Sequence, residues 1–258
     1  MPVRRLYPAI LLLMLVFPWQ RGIYWAGGLA VPAYWKVETR NYRVLTDSDY
    51  EIRVAPALAD SPAAAQVMAA MESFEKLGEY FGASLPPPLV IVMEAEVLNN
   101  YVGGGYSLNS AGVYQNGVIL LGIRAGTGDL KGTLIHELGH HYVHGLTRGN
   151  CPTWLSEGLA QMLEERLSDS LWFDGKEHND YYKYSISELS GDFYGLPDQV
   201  SAYNQALELV RVLETSAGGQ AISAILGDLG RGMTLPQALL RHAGMGLEAL
   251  SESVPGRE

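Results

Sequence analysis

Residues 133–165 read TLIHELGHHYVHGLTRGNCPTWLSEGLAQMLEE, and they decide how the rest of the chain is read. The stretch contains His136-Glu137-Leu138-Gly139-His140, an H-E-x-x-H pattern. On a helix, positions i and i+4 share a face, so His136 and His140 can hold one ion between them. Glu137 lies about 100° round from His136, where its carboxylate can work on a water beside that ion. Leu130, Leu134, Ile135, Leu138 and Tyr142 carry the apolar period of a helix, with Asp129 placed to cap it and Gly145 to break it. Pro152-Thr153 then opens a second helical pattern, with Glu157 in its first turns. Zinc hydrolases use three protein ligands and leave the fourth position to water. His136, His140 and Glu157 supply such a set, and Glu137 is placed to act as general base. The competing reading is two solvated histidines and a surface glutamate on an amphipathic helix. His141 lies off the metal face and His144 one turn beyond His140, so both read as wall or surface residues.

Size and composition bound the rest. The 258 residues are 48% apolar and 18% charged, a globular composition able to bury a sizeable core. A net charge of -10 offers no basic footprint, which argues against nucleic acid as a partner. One cysteine, Cys151, excludes an intrachain disulfide and a cysteine-rich zinc site. Any metal is therefore left to histidine and carboxylate. Cys151 reads as a small buried apolar residue.

At the N-terminus, Arg4 and Arg5 precede an uncharged apolar run from Leu6 to Trp19. This is the pattern of a secretory signal, too short for a comfortable membrane span of about 20 residues. A weaker segment, Ile23 to Trp35, follows Arg21. Residues 1–35 are expected to be a signal peptide cleaved after Ala30 or Ala33, or an uncleaved anchor tethering the protein through residues 6–35. Export to a periplasmic or extracellular location, or to the outer side of a membrane, follows from either. Residues 36–258 form the expected domain, with a sheet-containing half at 36–125 and a mostly helical half at 126–258.

Within that domain the spacing predicts a strand over Val37–Leu45, closed by a turn at Thr46–Asp49. A helix is predicted over Ala57–Phe81, from Ser61-Pro62 to Gly82. Leu89–Met93 reads as a buried strand, and Ala95–Tyr101 as a short helix or loop. Gly103–Ser107 lacks the lysine and helix start of a phosphate cradle and reads as a loop at the groove rim. Gly112–Leu121 reads as a hairpin turning at Asn116-Gly117, its outer strand able to receive an extended peptide. The aromatic segment Leu167–Tyr184, which contains His178, reads as a rim or lid. Asp192–Val200 reads as a loop, and helices are predicted over Ser201–Thr215, Ala221–Leu229, Leu235–His242 and Leu247–Val254. No internal repeat is visible.

HELGHHYVHGL followed by WLSEGLAQMLE resembles the gluzincin metallopeptidases, most closely the catalytic domain of the aminopeptidase-N-like group. The resemblance spans about residues 111–214. It implies a thermolysin-like, zincin α+β fold: a small N-terminal mixed sheet, an active-site helix and a helical C-terminal part. It implies a zinc (Zn2+) site in His136, His140 and Glu157, with Glu137 as base and a peptide or protein as substrate. Glu164, seven residues after Glu157, matches the family's later glutamate and is the candidate outer carboxylate. Tyr203 opens a segment similar to the family's Y-x-x-G helix, whose tyrosine stabilises the oxyanion; Ala206 stands where glycine is usual. The G-x-M-E-N strand, whose glutamate holds a substrate amine, is here Gly112-Val113-Tyr114-Gln115-Asn116. Without that carboxylate, endopeptidase action is the expectation. An aminopeptidase with another amine anchor and a non-catalytic binding or assembly protein on the same scaffold are the alternatives. Oligomeric state is not readable.

Overall fold

A computed structural model of the chain describes residues 23–47, 49–102, 111–123, 130–168 and 183–254. The Leu6–Trp19 run, Gly103–Ser107, the Asp129 cap and His178 lie outside the described residues. The fold is α+β, with a five-stranded mixed sheet followed by helices.

Five strands are described: β1 (Arg43–Asp47), β2 (Tyr50–Val54), β3 (Leu89–Glu94), β4 (Gly112–Gln115) and β5 (Val118–Ile123). They lie in the order β1-β2-β3-β5-β4. β3 runs parallel to β2 and β5, while β1 and β4 are antiparallel to their neighbours and form the edges. Strand periodicity of two sorts the central side chains between two cores. Val90, Val92, Ile119 and Leu121 face the large core, whereas Leu89, Ile91, Met93, Val118 and Leu120 face a smaller one behind the sheet. This two-sided burial explains why β3 and β5 read as unbroken apolar runs. Asn116 and Gly117 have φ of 43° and 86°, the paired positive values of a type I′ hairpin turn.

Behind the sheet lie helices α1 (Ile23–Glu38) and α4 (Ala95–Val102). α1 takes Val37 and Glu38 from the strand expected at Val37–Leu45, a turn takes residues 39–42, and the helix runs across the expected boundary at 35/36. Val31 and Trp35, one turn apart, are 1% and 4% exposed, and this packing continues the helix through Val37. The Thr39 hydroxyl donates to the Trp35 carbonyl at 2.6 Å at its end. β1 therefore starts only at Arg43, and Tyr50–Val54 adds a strand the sequence reading did not contain. The helix expected over Ala57–Phe81 is divided into a 3-10 turn at Pro56–Leu58, α2 (Pro62–Ala70) and α3 (Ser73–Phe81). Gly82, at φ 60°, ends α3.

On the front face, α5 (Leu130–Thr147) and α6 (Thr153–Ser168) precede α7 (Ile186–Ser190), a 3-10 turn (Phe193–Gly195) and α8 (Gln199–Ala217). The chain closes with α9 (Gly219–Gly230), α10 (Leu235–Ala243) and α11 (Leu247–Glu252). α5 continues through Gly145, the expected breaker; the chain turns at Arg148 and Gly149, whose φ values are positive. Tyr142 locks α5 to α3, its ring stacked on Phe81 at 5.4 Å and its hydroxyl donating to the Phe74 carbonyl. Glu214 of α8 accepts from Arg166 of α6 and from Tyr80 of α3, each at 2.9 Å.

α6 approaches both its neighbours through small residues. A Cβ on Gly139 of α5 would lie 3.1 Å from the Ala160 Cα. A Cβ on Gly158 would lie 2.3 Å from the Ala206 carbonyl oxygen of α8. Gly158→Ala gains up to about 1 kcal/mol of helix propensity. That gain is outweighed by overpacking against backbone, which costs roughly 1–3 kcal/mol or more. The expected result is a thermal midpoint lowered by several degrees, read by calorimetry.

Asp228 of α9, its side chain 2% exposed, accepts from Arg231, from Arg241 at 3.1 Å and from His242 at 2.7 Å. His242 first, then Arg231, hold its carboxyl well below the usual carboxylate range. A depressed folded-state pKa stabilises the fold above the unfolded pKa, and this contribution is lost as pH falls through the folded value. Asp228→Asn should therefore lower the melting temperature at pH 7 by a margin that shrinks as the pH falls below about 4, as followed by circular dichroism.

Candidate metal centre and active site

α5 and α6 bring His136, His140 and Glu157 to one point. His136 Nε2 is 3.2 Å from His140 Nε2, and Glu157 Oε2 lies 3.4 and 3.5 Å from these two nitrogens. Each atom is turned inward by a bond made on its other side. His136 Nδ1 donates to Glu164 Oε2 at 3.0 Å, and His140 Nδ1 donates to Ser156 Oγ at 2.8 Å. With those protons assigned to Nδ1, both Nε2 atoms present lone pairs. Glu157 Oε1 accepts from the Tyr194 hydroxyl at 2.6 Å, whereas Oε2 is buried with no hydrogen-bond partner.

Three lone pairs thus converge at the wall of a cleft, on side chains that are 4–16% exposed. They repel one another unless a proton or a metal ion lies between them. A tetrahedral zinc ion with bonds of about 2.0–2.2 Å spaces its donors roughly 3.3–3.6 Å apart. The observed edges of 3.2, 3.4 and 3.5 Å fit that ion, and the N₂O donor set suits it. The electrostatics point the same way. Burial opposes a charge on His136, but Glu157 and Glu164 outweigh it and push its pKa up to about 10. Burial also opposes the Glu157 carboxylate, and His140 and His136 reverse this and hold it well below its ordinary range. The pocket attracts positive charge. Among the described residues, these three form the group able to hold a metal ion.

Glu137 stands beside the cluster, 7% exposed. Burial raises its pKa against the pull of His140 and His136, and the Tyr114 backbone N–H donates to it. β4 passes so close that a Cβ on Gly112 would lie 2.9 Å from Glu137 Cγ. Glycine is what lets the edge strand lie against this carboxylate. Gln115 pairs with Val118 in the hairpin.

Tyr203, near the start of α8, lines the same cleft of about 420 Å³. The Asp198 carboxylate accepts the Ser201 N–H and fixes that helix start. Burial, then Glu157 and Glu137, raise the Tyr203 pKa, so the phenol keeps its proton. It faces both carboxylates electrostatically. His144 also lines the cleft, its Nδ1 3.2 Å from the Tyr114 hydroxyl. His141 points away, with Nε2 donating to the Pro86 carbonyl at 2.9 Å. Cys151 lies at the cleft wall, where burial raises its thiol pKa.

Ser156 and Tyr194 were missed by sequence reasoning. Ser156 precedes Glu157 directly, and its polar side chain one turn-fraction from a ligand is a weak signal. Tyr194 comes 37 residues after Glu157, from a 3-10 turn with no motif of its own.

A mixed sheet backing an H-E-x-x-H helix, with a carboxylate from the following helix as third candidate ligand, defines a zincin-like peptidase domain. The Peptidase MA superfamily matches residues 69–254, and the chain belongs to that superfamily. No curated protein matches the chain.

Outer-shell partners of metal-bound histidines are worth about 10–100-fold in metal affinity. Glu164→Gln should weaken zinc binding by that order while leaving the fold intact, as measured by competition with a chromogenic chelator.

Proposed function

We propose that the protein is a zinc-dependent endopeptidase of the gluzincin type, with His136, His140 and Glu157 as zinc ligands. The observation that carries this reading is the partnerless Glu157 Oε2 aimed at two imidazole lone pairs in a buried site. Zinc bound there supplies Lewis acidity, lowering the pKa of a water and polarising the scissile carbonyl.

The remaining steps fall to the chain's own residues. The edge strand β4, which lines the cleft, receives the substrate backbone beside it. Glu137, held by the Tyr114 N–H, takes the proton of the attacking water and passes it to the leaving amine. Its raised pKa suits a base that must also return the proton as an acid. The Tyr203 hydroxyl donates to the oxygen that gains charge in the tetrahedral intermediate. Glu164 and Ser156 keep the two histidines turned inward. Gln115 provides no charge for a free amine, which favours cleavage within a chain over removal of its first residue.

Among the described residues no helix is long and apolar enough to cross a membrane. Export, with or without a tether through residues 6–35, remains part of this proposal and rests on the charged-then-apolar N-terminus.

The test is digestion of a peptide library by the zinc-loaded protein, with amino-terminally blocked and free peptides compared. Blocked peptides should be cut internally. Glu137→Gln should keep its zinc and lose activity by a factor of at least about 10²–10⁴. Cleavage of free-ended peptides alone would replace the endopeptidase reading by an aminopeptidase. Protein that holds no zinc and cuts no peptide would end the enzyme reading in favour of a binding protein, whereas a fully active Glu137→Gln variant would remove Glu137 as the base.

A further inference from the structure

We propose that Tyr194 is a positioning residue that keeps Glu157 a one-oxygen ligand; this rests on the metal site proposed above. The two oxygens of Glu157 have unlike surroundings. Oε1 accepts the Tyr194 hydroxyl at 2.6 Å, and Oε2 faces His136 and His140 with no donor of its own. The Glu157 side chain is 4% exposed, so bulk water does not readily take the place of that hydroxyl. A carboxylate with both oxygens free can chelate an ion and fill the position that water needs. Engaging Oε1 in a strong charge-assisted bond fixes the carboxylate with one oxygen toward the ion.

The tyrosine is carried by a braced element. Phe193, 1% exposed, packs edge-on against Tyr194 at 5.6 Å and against Tyr203 at 5.2 Å. Asp192 accepts the Gly195 N–H at 3.2 Å, and the Gln199 amide donates to the Phe193 and Leu196 carbonyls at 3.0 and 2.8 Å. Tyr194 itself is 52% exposed and adds little to the core. Its ring stands at the cleft mouth while its hydroxyl reaches a buried ligand. Glu164 and Ser156 lie on α6 with Glu157, whereas Tyr194 braces the site from a separate turn. Phe193 links that turn to Tyr203, so one buried ring orients both phenols.

The experiment uses the full chain and Tyr194→Phe, which keeps the ring and removes the hydroxyl. Zinc affinity is read by chelator competition, cobalt coordination from the visible spectrum of the cobalt-loaded protein, and folding from the thermal midpoint without metal. The expected result is a zinc affinity lowered about 10–100-fold. The cobalt band should weaken as the coordination number rises, with the metal-free midpoint unchanged. In a Glu157→Ala background, Tyr194→Phe should cause no further loss of affinity, since the tyrosine acts through that carboxylate. Unchanged affinity and spectrum would overturn the proposal and leave the metal site standing. So would an equal loss in the Glu157→Ala background, or a loss matched by unfolding of the metal-free protein. A parent protein that binds neither zinc nor cobalt would remove the metal site and this role together.

Discussion

Helix α6 is held between two other helices at places where no side chain fits. Gly139 of α5 lies against Ala160, and Gly158 lies under the carbonyl of Ala206 in α8. At these contacts the separation of the helices is set by backbone and methyl groups, not by flexible side chains. Glu157 is next to one of them, and His140 next to the other. Close packing of this kind has little compliance, which is how three donor atoms come to lie within tenths of an ångström of tetrahedral edges. Ala206 presents its carbonyl to Gly158. The small residue needed at this crossing is supplied by α6.

Around that frame, each inward-facing atom has a backing bond of its own. Glu164 backs His136, Ser156 backs His140 and Tyr194 backs Glu157. Burial gives those bonds their weight. Few waters compete at side chains that are 4–16% exposed, so each bond restricts rotation of the group it holds. Glu137 and Tyr203 stand on different walls of the cleft. Both are kept in protonation states set by burial and by each other's neighbours.

Much of the site was legible because it is local. Helical periodicity and an i, i+4 pair place His136 and His140 on one face without knowledge of the fold. Glu157 and Glu164 share a helix, so their spacing also carries information. Tyr203 needed a family pattern, because nothing local marks one tyrosine among fifteen. Tyr194 was not legible at all: its partner is distant in sequence, and a tyrosine in a polar turn is ordinary. Among the elements, β3 and the Asn116-Gly117 hairpin were readable from apolar runs and turn chemistry. The course of α1 was not, since Val37 carries strand propensity and only the packing of Val31 and Trp35 behind the sheet overrides it. Gly145 failed as a helix stop for the same reason, with α5 held in place by Tyr142 and its neighbours.

The hairpin turn at Asn116-Gly117 has a reach beyond its own strands. Two positive φ angles fix which residue of β4 faces which residue of β5. A slip of one residue would invert the strand, swapping inward and outward groups all along it. Tyr114 would then point its N–H into the sheet, and Glu137 would lose a donor. Gly112 would be displaced as well, and a side chain would occupy the gap in which the carboxylate now sits. The surroundings of one carboxylate on α5 are in this sense encoded about twenty residues upstream, in a turn that does not line the cleft.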